Sequence, residues 1–132
     1  MTSNQTINTG ATKGGPYSHG IKAGNLIFVS GQVGKRDPNT KLMLSSDIET
    51  QTRETLEKLK RVLNAGGASV RDIAKMTVFM VNIDDFSKMN EVYEKFLRDN
   101  GITEKFPART TVEVSGLAAK DILIEIDCFA VI

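Results

Sequence analysis

Two stretches decide the fold class: Phe106-Pro107-Ala108-Arg109-Thr110-Thr111-Val112-Glu113-Val114, and after it Ile122-Leu123-Ile124-Glu125-Ile126-Asp127-Cys128-Phe129-Ala130-Val131-Ile132. Both are rich in apolar and β-branched residues and predict β-strands. One guanidinium, Arg109, and one carboxylate, Glu125, stand within them. A charge in a buried strand is costly unless it is paired or used, so this pair is the first candidate for chemistry.

We expect the strands Arg109–Val114 and Ile122–Ile132 to pair as an antiparallel hairpin around residues 115–121. A hairpin symmetric about Ala118 puts five polar side chains on the face away from the helices: Arg109, Thr111, Glu113, Glu125 and Asp127. Arg109 and Glu125 then lie diagonally, about 7–8 Å apart at the backbone. This gap suits a small molecule or a salt bridge. From the residues alone the salt bridge is the better interpretation, because ion pairs outnumber catalytic pairs.

Two helices are predicted upstream. Ser46-Asp47-Ile48-Glu49 has capping-box spacing, and the apolar residues that follow recur at helical spacing until Gly66-Gly67. The second helix follows Asp84-Asp85 and ends near Asn100-Gly101. Its expected apolar stripe consists of Phe86, Met89, Tyr93, Phe96 and Leu97.

The remaining elements give an α+β fold. Leu26–Val33 and Lys75–Val81 read as strands, whereas Gly10–Gly24 is rich in glycine and reads as a loop. We therefore expect a single domain over residues 1–132, with two helices packed on one face of a sheet. One face of the last strand is uniformly apolar and suits that packing: Ile122, Ile124, Ile126, Cys128 and Ala130.

The other face of the sheet predicts an oligomer. Two helices cover only one face, and the alternate residues of the last strand are still rich in large apolar groups: Leu123, Glu125, Asp127, Phe129 and Val131. Large exposed apolar patches usually mark interfaces. We expect a homo-oligomer whose sheets face each other across subunits.

Composition excludes several classes of protein. With one cysteine, Cys128, the chain forms no internal disulfide and no cysteine-rich zinc site. The lone His19, which we expect to be a solvated loop side chain, argues against a Ser-His-Asp triad and a histidine metal site. The 132 residues contain no apolar run near the ~20 needed to span a membrane. Residues 1–8 lack the features of a signal or transit peptide, which predicts a cytoplasmic protein.

Six short motifs then occur in a specific order: Gly15-Pro16-Tyr17-Ser18, Ser30-Gly31-Gln32, Val81-Asn82-Ile83-Asp84-Asp85-Phe86, Asn90-Glu91-Val92-Tyr93, Phe106-Pro107-Ala108-Arg109 and Ile124-Glu125-Ile126. The ordered set, spanning Gly15 to Ala130, resembles the Rid family, also called YjgF-type, of reactive imine and enamine deaminases. The resemblance implies a chorismate-mutase-like fold and a homotrimer with sheets facing its interior and sites between subunits.

The resemblance also implies an activity. Archetypal members hydrolyse 2-aminoacrylate and related 2-imino or 2-enamino acids, released by pyridoxal-phosphate enzymes, to 2-keto acids and ammonia. They use neither a metal nor an organic cofactor. Matched residue by residue, Arg109 clamps the substrate carboxylate and Glu125 positions the attacking water. Tyr17 lines the pocket.

Three further matched positions, Ser30, Asn90 and Thr111, shape the pocket. Thr111 stands where many archetypal deaminases have a cysteine, which leaves the substrate open. One alternative is that the protein deaminates another amine, such as 2-aminomuconate or a pyrimidine-breakdown intermediate. A second is a non-catalytic trimer that binds small carboxylates. A third is RNA cleavage, against which the formal net charge of +1 and the lack of a stacking platform count.

Overall fold

The computed structural model describes residues 4–132, which form a six-stranded sheet and two long helices. The strands are β1 (Gln5–Ile7), β2 (Gly20–Ala23), β3 (Leu26–Gln32), β4 (Ile73–Met80), β5 (Ala108–Glu113) and β6 (Ile124–Val131). The helices are α1 (Ile48–Ala65) and α2 (Phe86–Asp99), with short 3-10 turns at Val70–Asp72 and Ile83–Asp85. The first three residues of the domain predicted for 1–132 lie outside the described residues.

The N-cap of helix α1 lies one residue after the predicted N-cap. Asp47, not Ser46, is the N-cap, and its carboxylate accepts a hydrogen bond from the backbone N–H of Thr50 at 2.9 Å. That bond and one from the Ser45 hydroxyl lower the pKa of Asp47 to about 2. The helix ends where predicted, because Gly67 adopts φ +84°, a conformation that suits glycine.

A buried glutamine links α1 to the segment before β6. Gln51 is fully buried, and its amide group donates to the carbonyl oxygens of Ser45 and Asp121 at 2.8 and 3.0 Å. Its carbonyl oxygen accepts from the backbone N–H of Leu123 at 2.9 Å. One side chain thus satisfies three backbone groups that would otherwise lack partners at this junction.

Helix α2 follows the prediction closely. It begins after Asp84-Asp85 and ends at Asp99, before Gly101 with φ +90°. Four of the five predicted apolar positions are buried: Met89, Tyr93, Phe96 and Leu97. Phe86 differs, because it lies on the surface with 36% of its area exposed.

The predicted hairpin is wrong. The strand order is β1-β2-β3-β6-β4-β5, so β4 separates β5 from β6. Strand β5 pairs in parallel with β4, and β6 lies between β3 and β4, antiparallel to both. A parallel pair needs a long crossover connection, and α2 supplies it between β4 and β5.

The predicted loop Gly10–Gly24 also needs correction, because it contains β2, and β1 precedes it. Gly20 belongs to β2, where a β-carbon would lie 2.9 Å from a methyl group of Val62 in α1. Glycine here lets the helix approach the sheet closely. It therefore marks a packed strand, although it reads as a turn signal in the sequence.

The helices cover one face of the sheet, as expected. The predicted apolar face of the last strand is buried there, together with Met76, Val78 and Met80 of β4. The opposite face exposes several large side chains: Phe28, Val112, Phe129 and Val131. We call this the open face; the Phe28 and Phe129 rings lie 6.0 Å apart on it.

Neither α1 nor α2 nor any other helix within residues 4–132 is long and apolar enough to cross a membrane.

Candidate functional site

Arg109 and Glu125 lie on opposite faces of the sheet. Arg109 pairs with Met76, whose side chain is buried beneath the helices, whereas Glu125 pairs with Phe79 on the open face. Their predicted diagonal contact and salt bridge are both wrong. The cause is the insertion of β4 between β5 and β6, which reverses the face on which Arg109 emerges. Within one chain the two residues belong to separate clusters.

The first, the Arg109 cluster, is built on β5 and α2. Nη1 of Arg109 donates to the side-chain oxygen of Asn90 at 2.7 Å. Its guanidinium carbon lies 4.7 Å from the ring centre of Tyr93 and 5.5 Å from that of Phe86. These distances are typical of cation–π contacts. Residues 86, 90 and 93 lie on one side of α2 because they are spaced by four and three positions.

An open cleft of about 340 Å³ adjoins this cluster. It is lined by Asn90, Tyr93, Glu94, Leu97, Phe106, Pro107 and Arg109. Of the predicted residues, the structure thus brings Asn90 to Arg109. Phe86 and Tyr93 were predicted only as members of the apolar stripe of α2, and their contact with Arg109 was not predicted. The signal was available, because both residues stand at helical spacing from Asn90 within the quoted motifs.

Thr111 lies on the same face of β5 as Arg109, two residues along the strand and about 7 Å away. Its hydroxyl oxygen is buried and has no hydrogen-bond partner within residues 4–132. Buried hydroxyl groups are usually paired. Thr111 is not among the residues that line the cleft beside Arg109, and its hydroxyl oxygen is enclosed within the subunit.

The second, the Glu125 cluster, forms around a bulge in β3. The pairing of β3 with β6 shifts between Val29 and Gln32, where Ser30 and Gly31 lie. The carboxyl group of Glu125 lies directly against Gly31, and a β-carbon there would be 2.8 Å from the carboxyl carbon. Glycine at this position makes room for the carboxylate.

Glu125 is a weaker acid than an ordinary glutamic acid. Partial burial raises its pKa most, the nearby Asp127 carboxylate raises it further, and the cation of Arg36 opposes both. A carboxylate with a raised pKa is a better base than an exposed one. The environment of Glu125 therefore suits proton transfer.

Ser30, within the bulge of β3, anchors the loop that contains Tyr17. The Ser30 hydroxyl donates to the carbonyl oxygen of Ser18 at 2.6 Å, and its N–H donates to that of His19 at 2.9 Å. Ser30 thus ties the loop to β3. Tyr17 is 46% exposed, and its hydroxyl oxygen accepts from the N–H of Gly14 at 3.3 Å.

His19 is not the solvated side chain that we expected. It is buried, and its Nδ1 accepts from the backbone N–H of Thr9 at 3.3 Å. Burial lowers its pKa, and the cations of Lys13 and Lys58 lower it further, while a backbone hydrogen bond at Ala11 opposes them. Cys128, by contrast, is buried as predicted, and its burial raises the pKa of its thiol to about 12.

The described part of the chain therefore offers two complementary groups. One cluster presents a cation suited to a carboxylate, and the other presents a carboxylate suited to accepting a proton. No group of three or more His, Cys, Asp or Glu side chains among residues 4–132 is arranged to hold a metal ion.

Comparison with known proteins identifies close relatives. A family model described as "Endoribonuclease L-PSP" matches residues 9–132. A "RutC family protein" of Pyrococcus horikoshii is 47% identical over 116 residues, covering 88% of this chain and 86% of the relative. A protein of Escherichia coli named 2-iminobutanoate/2-iminopropanoate deaminase is 41% identical over 117 residues, covering 89% and 88%.

The fold agrees with these sequence matches. The crystal structure of the YjgF gene product from E. coli is similar to this chain, with a TM-score of 0.85 and 40% identity. The match covers 96% of this chain and 98% of that one. The mixed α+β fold expected from the sequence is thereby confirmed.

Proposed function

Because the chain belongs to the endoribonuclease L-PSP family, to which YjgF also belongs, we propose that it hydrolyses reactive 2-imino and 2-enamino acids to 2-keto acids and ammonia. 2-Aminoacrylate is the representative substrate, and it enters the reaction as its imine tautomer, which forms when C3 gains a proton and the nitrogen loses one. The observation that carries the proposal is the Arg109 cluster, in which a guanidinium is oriented beside an open cleft. The E. coli relative named as a deaminase supports the same chemistry.

Arg109 is the proposed carboxylate clamp. Within residues 4–132 its side chain makes one hydrogen bond, through Nη1 to Asn90. A guanidinium carries five N–H donors, and the bond to Asn90 uses only one of them. The remaining donors can bind a carboxylate through two parallel hydrogen bonds. Such binding orients the C=N bond of the substrate relative to the attacking water.

Glu125 is the proposed base. The water oxygen bonds to the imine carbon, the C=N π electrons move to nitrogen, and the water proton passes to the Glu125 carboxylate. The resulting carboxylic acid returns the proton to the nitrogen. The hydroxyl proton of this carbinolamine then passes to the nitrogen, the C–N bond breaks, ammonia leaves and the C=O bond of the 2-keto acid forms.

The proposed site needs more than one copy of the chain. Arg109 and Glu125 emerge on opposite faces, so the Arg109 of one subunit meets the Glu125 of its neighbour. A homotrimer in which the open face of one subunit packs against the edge strand β5 of the next supplies this arrangement, and we place Tyr17 at the same junction. The exposed apolar residues of the open face support such an interface.

A second candidate is deamination of another amine, such as 2-aminomuconate or a pyrimidine-breakdown intermediate. Thr111 favours it, because this threonine, two residues from Arg109 on the same face of β5, stands where many archetypal deaminases have a cysteine. Comparing turnover of 2-aminoacrylate with turnover of a second, polar enamine distinguishes the two.

The test follows 2-keto acid release from 2-aminoacrylate freshly generated by a pyridoxal-phosphate enzyme. We expect wild-type protein to accelerate release, Arg109→Ala to lose carboxylate binding, and Glu125→Gln to bind the 2-keto acid but turn over slowly. Arg53→Ala, on the exposed side of α1, is the charge-matched control. Rates at the buffer level with wild-type protein would refute the proposal. We also propose that the protein acts in the cytoplasm.

A further inference from the structure

The side chain of Arg109 is held from more than one direction by a single helix. The Tyr93 ring lies beneath the guanidinium at 4.7 Å, the Phe86 ring approaches at 5.5 Å, and Asn90 accepts a hydrogen bond from Nη1. A ring face sets the plane of a guanidinium, and a hydrogen bond within that plane sets its rotation. Together these contacts leave the arginine little conformational freedom.

Core packing does not explain both aromatic rings. Tyr93 is 6% exposed and contributes to the core as well as to Arg109. Phe86, however, is 36% exposed, so much of its ring gains little from burial. Core burial therefore does not account for the position of the Phe86 ring near the Arg109 guanidinium.

We propose that Tyr93 and Phe86 are positioning residues that pre-orient the Arg109 guanidinium for a carboxylate. The identity of the physiological carboxylate rests on the proposed function, but the orientation of Arg109 does not. Arginine has a long, flexible side chain, and ordering it at the moment of binding weakens affinity. A guanidinium ordered in advance avoids that cost.

This role predicts a specific kinetic signature. The rings touch Arg109 and not the water or its base, so their loss weakens carboxylate binding and raises KM. It leaves kcat nearly unchanged, because a substrate once bound meets the same Glu125. Loss of general core packing would instead lower thermal stability and damage both parameters.

The test compares four variants on α2. Phe86→Leu and Tyr93→Leu remove a ring face, Tyr93→Phe retains it, and Met89→Leu alters a fully buried residue of the same helix as the packing control. The first measurement needs no ligand: the mobility of the Arg109 Nε–Hε group is followed by NMR, with Arg109→Lys giving the assignment. We expect an ordered group in wild type and Met89→Leu, and a mobile one in Phe86→Leu and Tyr93→Leu.

The second measurement is the Kd for pyruvate, with KM and kcat for 2-aminoacrylate alongside. We expect the Kd to rise roughly threefold in Phe86→Leu and roughly tenfold in Tyr93→Leu, in line with cation–π contributions. Tyr93→Phe should restore most of the affinity that Tyr93→Leu loses. An Arg109 group equally mobile in all forms, or an equal loss of affinity in Met89→Leu, would overturn the inference. A wild type that orders Arg109 and binds pyruvate without hydrolysing imines would refute the proposed function alone.

Discussion

Gly31→Ala tests the placement of Glu125 without touching a charged group. The backbone of Gly31 lies outside the positive-φ region, so alanine fits its conformation. The new β-carbon would lie 2.8 Å from the carboxyl carbon of Glu125 and 3.1 Å from its Cγ. Ordinary carbon contacts are about 3.5–4.0 Å, so the carboxyl group must move by about 1 Å.

That displacement should lower the activity much more than the stability of the protein. A misplacement of about 1 Å at a reacting group can lower the rate about 100-fold, and we expect a fall in kcat/KM of that order. Overpacking typically costs about 1–3 kcal/mol. The cost here should lie near the lower limit, because the atoms that must move are the end of a flexible, partly exposed side chain. The melting temperature should therefore fall by only a few degrees.

The assay is 2-keto acid release from 2-aminoacrylate, with thermal melting in parallel. Gly116→Ala is the matched control, since its β-carbon would meet no atom within 4 Å and its φ is not positive. In a Glu125→Gln background, Gly31→Ala should add little further loss, because both changes act on the same group. Wild-type turnover by Gly31→Ala, or a full additive loss in the double variant, would refute the reasoning.

Further predictions concern the core, the pH profile and assembly. Gln51→Ala leaves three backbone groups unpaired and should lower the free energy of unfolding by about 3 kcal/mol, measured by urea denaturation. Turnover should be present above the raised pKa of Glu125 and lost as pH falls through it; Asp127→Asn removes a charge that raises this pKa, so the acid limb of kcat/KM should move to lower pH. If the acid limb of kcat/KM does not move in Asp127→Asn, Glu125 is not the group whose titration limits activity. Phe129→Asp on the open face should convert a trimer to smaller species in sedimentation, and a stable wild-type monomer would contradict the shared site.

Both helices are predictable from the sequence because their signals are local. Apolar spacing and the glycines after each helix fix α1 and α2 to within a few residues. Strand pairing is not local, which is why the hairpin was predicted wrongly. A strand, a helix and another strand in succession indicate a parallel crossover, and β4-α2-β5 carries that pattern. The last two strands are also close enough in the sequence to fit a hairpin, so local signals alone do not decide between the two pairings.

The candidate site, like the fold, is only partly predictable from the sequence. Arg109 and Glu125 are detectable as charges in apolar strands, and the motifs add Asn90. The face on which each charge emerges depends on sheet order, which no single strand encodes. The aromatic contacts of Arg109 depend on the packing of α2 against β5. Sequence reasoning therefore finds the charged residues more readily than their supporting neighbours.

The central position of β6 has a consequence for biosynthesis. It is the last of the six strands to leave the ribosome, yet β3 and β4 both pair with it in the folded sheet. Until it arrives, these two strands keep unpaired edges, which are prone to join other chains. The β3–β6 pairs join residues about a hundred positions apart, and contacts of such long range form slowly. Folding of this sheet should therefore be completed only after residues 124–131 have left the ribosome.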